Sequence, residues 1–208
     1  MENLQQHNPD NPCPQKSVSD RKFVIFDLDG TLIDSFECVL RCVNKTLGLY
    51  SLPKIKILPS EREVCNIEII FKKAKEFIKG EPSFFDFKKC FDKIHFDDCI
   101  ETVSINLNIY AELIHHKNNG VGIIILTNKY QSIAEKICNQ ILMLEDAIII
   151  GRKDAMPLKD DCNKVANALY NNRIPMDSIL CYYGDSSEDM SIANKLNIKI
   201  YNHENSFY

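Results

Sequence analysis

No stretch of the sequence approaches the ~18 to 20 consecutive apolar residues of a membrane span, and its first residues lack the apolar core of a signal peptide. A membrane-spanning or secreted protein is therefore not expected. Positive charge is also short: 25 Lys and Arg against 29 Asp and Glu leave a net charge of -4. That balance gives no basic field to hold a polyanion, which excludes nucleic acid as an expected partner. None of the nine cysteines stands in a CxxC pair, and their odd number, spread through apolar stretches, offers no disulfide framework. They read as small buried hydrophobes in a reducing compartment. These absences together point to a cytoplasmic protein, a monomer or weak homodimer, that meets neither membrane nor nucleic acid.

What is present is a chain of 208 residues with 45% hydrophobic content, enough for the core of one α/β domain with a sizeable insertion. Residues 1–19 carry three prolines and few apolar side chains, so burial there cannot offset the cost of ordering, and a disordered tail is expected. Four apolar runs read as strands: "KFVIFDL" (22–28), "VGIIIL" (121–126), "DAIII" (146–150) and "SILCYYG" (178–184), with a shorter "IKIY" at 198–201. Continuous β-branched runs, in place of alternating ones, predict strands covered on both faces. Helical patterns between the later runs make βαβ units, and hence a Rossmann-like, mostly parallel sheet flanked by helices. A helix over about 107–118 precedes the second run, with Gly120 suited to a left-handed C-terminal cap.

Only the first strand breaks this rhythm. Three helical segments follow it, at about 36–49, 60–79 and 83–99, and an insertion of this length is too long for a loop. The expected organisation is a core formed by 20–35 and 101–208, with a small all-helical domain at 36–100 lying over the strand tips.

Parallel sheets bind ligands beyond the carboxyl ends of their strands, so the residues just after each apolar run carry the chemistry. In order these are Asp27 and Asp29, Thr127 and Asn128, a loop with Lys153 and Lys159, and then Asp185 and Asp189. The "DLDGT" stretch read alone is also compatible with a strand-ending Asx turn. A calcium loop is excluded, because that pattern needs an oxygen ligand at its fifth position and Gly at its sixth, where Thr31 and Leu32 stand. Lys129 reads as a solvated side chain, and His115 and His116 as surface residues. Asp189 is compatible either with a first-turn acid that suits the helix dipole or with a site carboxylate.

Four stretches, "FDLDGTLIDS" (26–35), "LTNK" (126–129), the Lys159 region of "GRKDAMPLKDD" and "YGDSSEDMSIA" (183–193), resemble the haloacid dehalogenase superfamily, in its phosphatase branch of the phosphoglycolate phosphatase type. The resemblance runs in order and spacing from about 22 to 200. It implies that Asp27 attacks phosphorus to form an aspartyl-phosphate, and that Asp29 serves in turn as general acid and base. It implies a Mg²⁺ ion held by Asp27, the backbone carbonyl of Asp29 and Asp185. Thr127, the Asn128 amide and Lys159 would bind the phosphate, with Asp189 behind them. Lys159 is preferred to Lys153, although the family's lysine is commonly followed by proline and here Asp160 and Asp161 follow. The second carboxylate, Asp29, marks phosphate chemistry over halide release, since a halide leaves without a proton.

The resemblance also implies that the helical insertion is a cap that closes over the site and selects the substrate. The expected activity is Mg²⁺-dependent hydrolysis of a small phosphorylated metabolite, a phosphoglycolate-like or sugar phosphate ester. Two alternatives remain open at this level: a sugar-phosphate mutase of the same fold, and a non-catalytic phosphate-binding or regulatory protein.

Overall fold

The computed structural model describes residues 21–57, 67–76, 82–98, 103–154 and 156–202. The tail expected at 1–19 lies outside the described residues, as do both ends of the helix expected over 60–79. Five strands form one sheet: β1 (Phe23–Phe26), β4 (Gly122–Tyr130), β5 (Ile148–Arg152), β6 (Ile179–Gly184) and β7 (Ile200–Asn202). Their spatial order is β5-β4-β1-β6-β7 and every pairing is parallel. The chain steps outward from β1 to one edge through β4 and β5, then crosses to the other edge through β6 and β7. The tips of β1, β4 and β6 therefore meet at the reversal, where open α/β sheets hold their ligands.

The continuous apolar runs are explained by two cores. Val24 and Phe26 of β1 join one apolar layer, while Phe23 and Ile25 join the other. Helices α4 (Leu107–Asn118) and α5 (Gln131–Cys138) cover the first face; α6 (Cys162–Asn171) and α7 (Ser187–Lys195) cover the second. With both faces occupied, no position in β1 can be polar, and all four of its residues are buried. The NNG turn ends α4 as expected, with Gly120 at φ +72°. The six described cysteines are free thiols, and among the described residues no helix is long and apolar enough to cross a membrane.

Between β1 and α4 lie α1 (Phe36–Leu49), α2 (Ile67–Lys75) and α3 (Phe84–Asp98). Asp34 Oδ1 accepts from Phe36 N at 2.9 Å and so starts α1. Apolar faces of all three helices merge into the first core through Cys42, Leu47, Phe71, Phe87 and Phe91. The chain enters and leaves this insert through a two-residue antiparallel ribbon, β2 (Ile33–Asp34) against β3 (Ser104–Ile105). At its far end α3 is pinned to the sheet domain, where Lys136 of α5 donates to the carbonyls of Phe96 (2.5 Å) and Asp97 (3.3 Å). The Lys88 ammonium also lies 5.2 Å from the Tyr130 ring at the end of β4.

Candidate active site

The turn after β1 places the first carboxylates. Asp27 N donates to Tyr183 O at 2.8 Å, extending the β1–β6 pairing one residue and fixing the Asp27 side chain at the sheet edge. Gly30 then takes φ +81°, and a Cβ there would fall 2.3 Å from Asp185 Oδ2. Only glycine fits, because the turn runs directly against the carboxylate at the tip of β6. Thr31 Oγ1 donates to Asp185 Oδ1 at 2.9 Å and orients it.

Asp27, Asp185 and Asp189 come together, each offering a carboxylate oxygen within 4.8 Å of the others. Lys159 enters this group from the loop before α6. Its Nζ lies 2.5 Å from Asp27 Oδ1 and 2.6 Å from Asp189 Oδ1, and Asp27, Lys159 and Asp189 are all at most 5% exposed. Lys153 is exposed and takes no part. The acids after Lys159 have a local explanation: Asp161 N-caps α6, accepting from Asn163 N at 2.9 Å. The end of that helix is thereby satisfied internally, and the Lys159 ammonium turns to the carboxylates.

Asp189 fills two places at once. Its Oδ2 accepts from Ser186 N and Oγ, completing a capping box on α7, while its Oδ1 accepts from Lys159 and from the Tyr182 hydroxyl. Gly184 makes room for it, since a Cβ there would lie 2.6 Å from Asp189 Cβ. Against burial, which disfavours its charge, Lys159 and these hydroxyls hold the Asp189 carboxyl below its usual range. Burial likewise opposes the Lys159 charge, but Asp27 and Asp189 outweigh it and raise its pKa. The opposite holds for the other two acids. Burial pushes Asp27 well above the ordinary value, and Asp185 is raised by burial and by Asp189. The site thus holds more negative charge than its ammonium neutralises. With hard oxygen donors only, it fits a cation of the magnesium or calcium kind.

Thr127 ends the apolar part of β4 and is 1% exposed. Asn128 joins the loops, its Oδ1 accepting from Lys159 N at 2.9 Å and its Nδ2 donating to Glu188 Oε2 at 2.8 Å. The expectation of a solvated Lys129 is overturned. Its Nζ lies 2.9 Å from Asp29 Oδ1 with the side chain only 9% exposed, because β4 continues to Tyr130 and carries Lys129 inward past Thr127. The Asp29 side chain is accordingly held by Lys129 and by the Ser35 hydroxyl, which donates to it. Burial opposes ionisation of Asp29, yet Lys129 and Ser35 hold its pKa below the usual value.

Sequence reasoning also passed over two buried partners. Tyr182 is fully buried with its hydroxyl on Asp189. His95 of α3 is 5% exposed and feels the charges of Lys129 and Asp29. The first carried no readable signal. The second did, since Phe87, Phe91 and His95 recur every four residues and place a histidine on an apolar helix face. His116 is half-buried, its Nε2 3.2 Å from the Tyr183 hydroxyl.

Residues 24–202 match the model of the haloacid dehalogenase-like hydrolase family. Among solved structures, a predicted phosphoglycolate phosphatase from Haemophilus somnus 129PT superposes with a TM-score of 0.71 at 18% identity, covering 89% of this chain and 86% of its own. A candidate haloacid dehalogenase-like hydrolase from Bacteroides fragilis gives 0.70 at 20% identity, covering 90% of each chain. A candidate β-phosphoglucomutase from Thermotoga maritima gives 0.66 at 18% identity, covering 90% and 87%. At these identities the likeness is one of fold. No curated protein sequence matches the chain.

Proposed function

Because the chain belongs to the haloacid dehalogenase-like hydrolase family, we propose that it is a Mg²⁺-dependent phosphatase of small phosphorylated metabolites, with Asp27 as nucleophile. The observation that carries this reading is the meeting of Asp27 and Asp185 with the buried Lys159 ammonium at the tips of β1 and β6. A phosphate monoester is a dianion, and a carboxylate cannot approach it unless the charge is offset. Asp27, Asp185 and the Asp29 carbonyl would hold Mg²⁺, which when bound supplies that offset.

In the first half-reaction an Asp27 oxygen bonds to phosphorus as the ester P–O bond breaks, and Asp29 gives its proton to the departing alkoxide. In the second, Asp29 takes a proton from the water that cleaves the acyl-phosphate. Thr127 Oγ1 and Lys159 Nζ donate to the transferring phosphoryl oxygens, and Asp189 keeps Lys159 charged and aimed. In the substrate-free arrangement Asp29 is an ionised partner of Lys129. The incoming dianion raises its proton affinity, which prepares it as the acid. The helices between β2 and β3 act as a cap, with that ribbon as the hinge, in a cytoplasmic enzyme.

A screen of phosphate esters with Mg²⁺ and with EDTA tests this on wild type, Asp27→Asn and Asp29→Asn. Metal-dependent phosphate release is expected, with a loss of at least about 10³-fold for Asp27→Asn. Asp29→Asn should lose more on alkyl esters than on p-nitrophenyl phosphate, whose leaving group needs no proton. Absence of release from every ester, or an Asp27→Asn variant as active as wild type, refutes the mechanism.

A further inference from the structure

One buried polar atom near the site has no task in the chemistry above. His95 Nε2, in the last turn of α3, is buried and among the described residues has no hydrogen-bond partner. Buried ring nitrogens are rarely left unpaired, because the loss of water is uncompensated. Its surroundings locate the ring. Lys88, Phe91 and His95 fall on one stripe of α3, at i, i+3 and i+7. Lys88 reaches the Tyr130 ring at the end of β4, and the His95 ring packs on Phe91 with centroids 5.1 Å apart. The next two carbonyls of α3 are fixed by Lys136. The stripe is thereby held against the tip of β4, beside Lys129 and Asp29, where the leaving group of a substrate attacked by Asp27 must lie.

We propose that His95 is the specificity residue of the helical insert, its free Nε2 forming a hydrogen bond to a hydroxyl or carbonyl oxygen on the organic part of the phosphate ester; this rests on the phosphatase reading. The imidazole is uncharged at neutral pH, since burial, and then the Lys129 cation, push its pKa down to about 3. A neutral ring matches a neutral hydroxyl, whereas a substrate carboxylate would require a free cation, and the Lys129 ammonium is already paired with Asp29. The site is therefore built for a polyol or sugar phosphate in preference to a phosphorylated carboxylic acid.

Glycerol 3-phosphate and propyl phosphate, which share a three-carbon skeleton and differ in hydroxyls, test this with Mg²⁺ on wild type, His95→Phe and His95→Gln. Wild type should prefer the hydroxylated ester by at least ~10-fold in kcat/KM. His95→Phe keeps the stacked ring and should lose ~10- to 100-fold on glycerol 3-phosphate while changing propyl phosphate less than about threefold. His95→Gln, which carries an amide to the same depth, should recover part of the preference. Equal losses of either variant on both esters would mark a merely structural residue and overturn the proposal, as would the absence of any wild-type preference. If wild type also fails on p-nitrophenyl phosphate, the phosphatase reading itself falls; if it cleaves that ester yet shows no preference, only the role of His95 does.

Discussion

Replacement of Lys159 by methionine keeps the length of the side chain and removes its charge. In the metal-free protein this leaves Asp27, Asp185 and Asp189 with carboxylate oxygens within 4.8 Å of one another and no ammonium among them. At an effective dielectric constant of about 20, each such pair repels by at least about 3.5 kcal/mol. Breaking a buried ion pair by removing one partner costs ~3 to 5 kcal/mol, the same scale, so the variant should melt roughly 10 °C below wild type at pH 7 in EDTA. The pH dependence separates charge from packing. Asp27 is already raised by burial, and loss of Lys159 raises it further. A carboxyl that binds its proton more tightly in the folded than in the unfolded chain destabilises above its folded pKa and recovers stability as pH falls through it. The deficit relative to wild type should thus shrink as pH falls, as measured by urea melts at pH 7 and pH 5. A loss below about 1 kcal/mol at pH 7, or a loss that is the same at pH 5, would refute the electrostatic account. Lys153→Ala, at an exposed position, should change neither stability nor activity.

Three further outcomes follow from the same geometry. Lys129→Met removes a cation that holds the Asp29 pKa down, so the limb of the kcat/KM profile that reports protonated Asp29 should move to higher pH; an unmoved profile would exclude coupling between the two. Gly30→Ala sets a methyl 2.3 Å from Asp185 Oδ2 on a backbone at φ +81°. It should cost at least ~1 to 2 kcal/mol in denaturant melts and weaken Mg²⁺ binding by isothermal calorimetry, whereas a neutral result would mean that the turn and Asp185 move independently. Saturating Mg²⁺, at about 100 times its dissociation constant, should stabilise wild type by about 2.7 kcal/mol, and Asp185→Asn should abolish the shift in a thermal melt.

The sheet was legible in the sequence because parallel strands covered on both faces leave unbroken apolar runs, and the acids at their tips are local exceptions to that pattern. The resemblance favoured Lys159 over Lys153, but the spacing alone did not decide, since each lies in the same polar loop and the partner Asp27 stands 132 positions away. Lys129 was misread because the apolar run stops at Leu126 while the extended backbone goes on to Tyr130. The β4–β5 register shifts between Leu126 and Tyr130, so this part of the strand offers no simple alternation from which the side of Lys129 could be read. The role of Asp189 was open because one carboxylate does two jobs, capping α7 and holding Lys159, and each leaves the same acid in the first turn of a helix.

The charges of the site divide its four aspartates into two kinds. Asp29 has Lys129 and Ser35, Asp189 has Lys159, Tyr182 and Ser186, and both are held below the ordinary carboxylate range against the pull of burial. Asp27 shares Lys159 and gains too little from it, and at Asp185 the Thr31 hydroxyl and the more distant Lys159 charge do not offset burial and Asp189; both are raised. The two compensated acids are those whose proposed tasks, proton transfer and the aiming of a lysine, need fixed hydrogen-bond partners. The two uncompensated acids are the proposed nucleophile and metal ligand, whose charged forms a divalent cation would favour. A phosphate dianion entering beside them adds more negative charge than Lys159, already shared between Asp27 and Asp189, can offset alone, so substrate and cation should bind with positive coupling, each tighter when the other is present.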